Sequence, residues 1–153
     1  MAPIVLMAPL LAPIRFLNPT ERRFLSSMVK SPKMIGHYYR YVAESADASK
    51  LEEVKNGALE GYTQADALSK GLNACNPIRL GLALNFSVFQ YEVLNDHKKA
   101  CDLGEAALTE ALEKIDDVDE ETFRDAKSII ELLKENLSLW KEEDAEGNAV
   151  EDL

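Results

Sequence analysis

An all-α fold is what this sequence predicts, and three observations predict it. Ala, Leu, Glu and Lys, all strong helix formers, dominate the composition. From Ser31 onward, apolar residues recur at alternating steps of three and four, the period of one helix face. Four of the six prolines lie in the first nineteen residues and none follows Pro77, so the rest is nearly free of helix breakers. With 46% hydrophobic residues, the 153-residue chain can build a core. Its length suits one domain, or one domain with a tail. The expected architecture is an antiparallel array of about five helices.

Residues 1–30 stand apart from this array. The stretch Met1–Ile14 is apolar but broken by Pro3, Pro9 and Pro13, which forbids a continuous helix. Arg15, Arg22, Arg23 and Lys30 follow with only Glu21 opposing them. An acid-poor, arginine-bearing start has the character of an organelle transit peptide. An irregular extension is the plainer reading and the one preferred.

The helical part is expected over residues 31–141. Ser31-Pro32 opens a first helix, with Ser as N-cap and Pro at the first helical position, running to about Ala46. A second runs from about Lys50 to Leu72 on a stripe of Leu51, Val54, Ala58, Tyr62, Ala65, Leu68 and Leu72. Asn76-Pro77 opens a third by the same capping logic. From Ile78 to Leu94 it is apolar nearly all round, as a buried central helix should be. Asn95-Asp96 ends it. The fourth spans about His97 to Ile115, carried by Ala100, Leu103, Ala107, Ala111 and Ile115. Asp119 caps a fifth, where Glu120 and Glu121 suit the positive end of the helix dipole. Its core stripe is Phe123, Ala126, Ile130, Leu133, Leu137 and Trp140. Short connections make neighbours antiparallel. Residues 142–153 hold six acids and no base, and are expected to be a disordered acidic tail.

Charge narrows the function. The net charge is −10, from 17 basic and 27 acidic residues. Such a chain is a poor candidate for gripping a nucleic-acid backbone. No apolar run reaches ~18 residues, so no membrane partner or span is expected. Two cysteines make no disulfide framework and suit a reducing compartment. The expected location is the cytoplasm, with the nucleus a further possibility. His37 and His97 show no metal-ligand spacing, and no GxSxG, phosphate-binding glycine loop or CxxC occurs. No metal, no cofactor and no enzymatic activity are therefore expected.

Several residues ask for a function. Ile129, Leu132 and Asn136 form a second strip on the fifth helix, turned away from its core stripe. Either the helix is wedged between two neighbours, or the strip is one wall of an apolar groove. The third helix aligns Gly81, Asn85, Val88 and Glu92 on one face. An amide such as Asn85 amid Leu82, Leu84, Phe86 and Val88 needs a partner, either another helix or a ligand backbone. In the first helix Arg40 and Tyr41 pair a planar fork of donors with an O–H, which is apt for phosphate. Arg40–Glu44 as an ordinary surface pair is the alternative.

The stretch Asn76–Phe89, NPIRLGLALNFSVF, is nearly identical to a signature of the 14-3-3 family. So is Ser128–Trp140, SIIELLKENLSLW, and Tyr38-Tyr39-Arg40-Tyr41 followed by Ala43-Glu44 matches a third motif. The resemblance covers about Ser31 to Trp140, in matching order and spacing. It implies the last five helices of a nine-helix, dimerising fold. It also implies an adaptor that regulates signalling partners by binding phosphoserine or phosphothreonine peptides in an amphipathic groove. Carried over residue by residue, Arg40 and Tyr41 match phosphate ligands, and Lys33 a further basic residue near them. Asn85 and Asn136 match the asparagines that hold the peptide backbone. Leu84, Val88, Ile129, Leu132 and Trp140 match the apolar wall, and Glu92 a groove-side acid. A second arginine and a lysine of the family's phosphate site have no counterpart here, so weakened phosphate binding is expected. His37 and Ser128 depart from the family pattern. The expected partners are phosphorylated proteins, and self-association or pairing with a full-length relative is expected as well. The alternative is a helical module that has lost phosphate recognition and binds through its apolar wall.

Overall fold

The structure is a computed structural model and describes residues 48–151. The expected first helix, with Lys33, Arg40 and Tyr41, and the extension over residues 1–30 lie outside the described residues. Four α-helices follow in order: α1 (Ala48–Ser69), α2 (Pro77–Glu92), α3 (His97–Lys114) and α4 (Glu120–Glu151). A short 3-10 turn, Ile115–Asp117, links α3 to α4. Among the described residues there is no strand, as the all-α reading expects.

Helix α1 ends three residues before the expected Leu72. Ser69 is buried, and its hydroxyl donates to the Asp66 carbonyl at 2.7 Å, in competition with the helix ladder. The chain then tightens into i→i−3 bonds: Lys70 N–H to Ala67, Gly71 N–H to Leu68 and Leu72 N–H to Ser69. Leu72 stays in the core from the loop.

Helix α2 begins as its cap predicts. Asn76 is extended (φ −61°, ψ 125°), its Oδ1 accepts from the Ile78 N–H at 2.9 Å, and Pro77 fills the first position. Every residue of α2 except Arg79 and Glu92 is buried. The helix packs on α1, α3 and α4, which explains its all-round apolar sequence. It stops at Glu92 because Asn95 turns left-handed (φ 53°), a conformation Asn tolerates better than most side chains. Asp96 then caps α3, its Oδ1 accepting from the Lys99 N–H at 3.0 Å.

Long cross-links brace the corners. Arg79 donates from Nη1 to the Leu72 carbonyl at 2.7 Å and from Nη2 to Glu110 Oε2 at 2.6 Å. One guanidinium thus ties α2 to the α1–α2 loop and to α3. The Cys75 thiol donates to the Ala111 carbonyl at 2.8 Å. Tyr62 of α1 stacks on Phe86 (centroids 5.2 Å apart, 11° between planes) and lies 5.0 Å from Phe89.

Helix α4 starts at its cap, with Asp119 Oδ1 accepting from the Thr122 N–H at 2.7 Å. That bond holds the Asp119 carboxyl below its usual range. Two expectations need correcting here. Phe123 is not in the core: its ring is 42% exposed, and the buried stripe starts at Ala126. Helix α4 also continues through residues 142–151, where a disordered tail was expected. The continuation is anchored, because Glu143 and Asp144 meet Tyr91 and His97.

Candidate functional site

Two helices carry the described candidate residues. Leu84, Asn85, Val88 and Glu92 project from α2, and Ile129, Leu132, Asn136 and Trp140 from α4. The helices pack together with α3 beside both. Tyr91 near the end of α2 stacks on Trp140, with centroids 4.6 Å apart and planes within 10°. The C-terminal end of α2 therefore meets α4 at Trp140.

Burial divides the strip. Leu84, Asn85, Val88, Ile129, Asn136 and Trp140 are each no more than 2% exposed. Leu132 and Glu92 are half-buried. The second strip of α4 is thus buried alongside its core stripe, as in a helix wedged between neighbours. The wall is apolar and punctuated by two amides, as the sequence suggests, and most of its side chains are buried.

The two amides differ. Asn85 has an interaction of its own within the chain. Asn136 is buried, and its Nδ2 has no hydrogen-bond partner among the described residues. An idle buried donor costs ~1–3 kcal/mol, so Asn136 stands to gain from an incoming carbonyl.

Two features of this strip are not evident from the motifs alone. Leu139 is 42% exposed and stands three residues past Asn136 and seven past Leu132, so it extends the apolar rim into solvent. The helical spacing from Leu132 was the signal available in the sequence. The second is a three-ring stack. Tyr91 lies between Trp140 and His97, with the imidazole centroid 4.0 Å away and 13° from parallel. The Tyr91 hydroxyl donates to Glu143 Oε2 at 2.7 Å, and burial together with that carboxylate pushes its pKa up. Nothing in the spacing of Tyr91 and His97 reveals the stack, since it depends on the α2–α3 corner.

Burial raises the pKa of the Cys75 and Cys101 thiols, so neither is an activated nucleophile. Among the described residues no group of three His, Cys, Asp or Glu side chains could hold a metal. No described helix is long and apolar enough to cross a membrane.

Residues 16–141 match the 14-3-3 protein family. The match begins inside residues 1–30, earlier than the motifs alone indicate. The chain is 47% identical over 120 residues to a 14-3-3 protein homolog of Encephalitozoon cuniculi, covering 78% of this chain and 46% of that protein. It is 47% identical over 116 residues to 14-3-3 protein 2 of Entamoeba histolytica, covering 76% and 49%. Against 14-3-3 protein homolog 1 of Schistosoma mansoni it is 44% identical over 121 residues, covering 78% and 48%. The chain spans about half the length of the curated relatives it matches.

Proposed function

Since the chain belongs to the 14-3-3 family, we propose that it is a non-enzymatic adaptor that binds phosphoserine- or phosphothreonine-bearing segments of partner proteins. The observation that carries the reading is an apolar strip interrupted by an amide on each of two packed helices, Leu84–Asn85–Val88 on α2 and Ile129–Leu132–Asn136 on α4. An extended peptide brings apolar side chains and unpaired backbone N–H and C=O groups. Apolar residues interrupted by an amide on each helix suit both, because an amide can donate and accept. Arg40, Tyr41 and Lys33 are the phosphate ligands in this reading, by a planar fork, a hydroxyl and a point charge.

The test is a calorimetric titration with one peptide in phosphorylated and unphosphorylated form. Each charge-assisted hydrogen bond contributes ~1.5–3 kcal/mol, so even one or two should give the phosphorylated peptide at least a tenfold advantage. Equal affinity for the two would overturn phosphate recognition. It would leave the second reading, a module that pairs with a full-length relative or another partner through its apolar wall. The exposed Leu139 beside half-buried Leu132 favours that second reading.

A further inference from the structure

The last turns of α4 are helical against their own local preference. Glu142, Glu143, Asp144, Glu146 and Glu151 stand there with no base after Lys141. Acids at a helix C-terminus meet the negative end of the dipole. Glu142 and Glu146 are like charges four residues apart, and Gly147 adds backbone freedom. On propensity alone this segment should fray.

What holds it is a set of contacts made within one turn. Tyr91 Oη donates to Glu143 Oε2 at 2.7 Å. His97 Nδ1 lies 2.7 Å from Asp144 Oδ1. Lys141 Nζ pairs with Glu105 Oε1 of α3 at 2.5 Å. His97 is itself fixed by Asn95, whose Oδ1 lies 3.0 Å from Nε2, and Asn95 is the left-handed residue of the α2–α3 corner. The corner therefore presents Tyr91 and His97 as a preset pair of partners for the two acids.

Asp102 of α3 lines the same open cleft of about 810 Å³ as Glu143 and Asp144, and adds a like charge. Lys98, the cation in that cleft, is already paired to Asp102 at 2.8 Å.

We propose that Lys141–Gly147 is a conformational latch. Its turn stays docked on the α2–α3 corner while Tyr91 and His97 hold Glu143 and Asp144, and it unwinds as a unit when those contacts are lost. Docked, it covers the end of the His97–Tyr91–Trp140 stack. Released, it opens that aromatic end of α2 and α4 to solvent. The latch does not depend on peptide binding.

Hydrogen–deuterium exchange on the full chain tests it, with emission from Trp140, the single tryptophan, as a second readout. Tyr91→Phe keeps the ring and removes the hydroxyl, and Asp144→Asn removes the carboxylate. Each is expected to speed exchange at residues 142–147 by at least roughly tenfold while amides in the middle of α2 and α3 hold their rates. Trp140 emission should move to the red in both. Wild-type exchange at 142–147 as fast as an unstructured peptide would overturn the latch. So would variants that leave those amides unchanged, or that speed exchange evenly across α2, α3 and α4.

Discussion

Asn136 and Tyr62 each bury a polar atom with no hydrogen-bond partner among the described residues, and the two call for different experiments. Asn136 stands on the strip assigned to a ligand. Replacing it by Leu removes the idle donor at nearly constant volume. Stability should hold or rise by up to ~1 kcal/mol in a denaturant titration, while peptide affinity falls. A loss of stability with affinity intact would assign Asn136 to the scaffold. Asn85 already has an interaction within the chain, so the same change there should lower stability. Tyr62 lies on α1, outside that strip. Its hydroxyl sits at a fully buried aromatic contact, and burial lifts its pKa from 10.0 to about 12. The neutral form is the one the fold accepts. The associated stability is complete below pH 10 and is lost as pH rises from there through about 12. A shift of that size corresponds to ~3 kcal/mol. Tyr62→Phe should leave stability at neutral pH unchanged or slightly higher and should flatten the alkaline loss. Chemical denaturation from pH 8 to 11.5 checks both points.

At the scale of elements, the caps and stripes were legible and the ends were not. Asn76-Pro77 and Asp119 are local signals, satisfied by their own next residues, so α2 and α4 start where the sequence places them, while Asp96, legible only as the end of α2, also caps α3. The end of α1 depends on Ser69 being buried, a tertiary fact. The extension of α4 depends on Tyr91 and His97, which lie far away in sequence. Phe123 fits the stripe by period, yet its ring stays exposed, because periodicity fixes a face and not what covers it. Likewise the second strip of α4 was legible as a wedged face or as a wall, and its period alone does not decide between them. Gly104 shows what such strips conceal. A Cβ built there would come within 3.1 Å of Leu137 Cδ2. The absent side chain lets α3 approach α4 closely, and Leu137 occupies the space. Gly104→Leu should therefore cost ~1–3 kcal/mol by overpacking, despite the better helix propensity of Leu. Pairing it with Leu137→Ala should recover part of that cost, and a double-mutant cycle of thermal melts measures the coupling.

The described part of the molecule is organised around α2, which touches every other described helix. Burial along α2 is nonspecific in direction, so something must fix how α1 and α3 sit around it. Arg79 is placed to do so. Its fork reaches the Leu72 carbonyl and Glu110 together, and its side chain is only 16% exposed. The two bonds differ in worth. Glu110 is 45% exposed, so water and salt screen that pair, and Glu110→Gln should cost under ~1 kcal/mol. The carbonyl bond is shielded, and a charged donor there contributes ~1.5–3 kcal/mol. Arg79→Lys separates charge from geometry. Lysine keeps the cation but has no planar fork, so it can satisfy one acceptor and leaves the other. The expected result is a loss of ~1–3 kcal/mol for Arg79→Lys that persists at high salt, beside a small, salt-sensitive loss for Glu110→Gln. If charge alone held the corner, Arg79→Lys would match the wild type at low salt and both variants would converge on it at high salt. Thermal melts of the three proteins at two ionic strengths separate these outcomes.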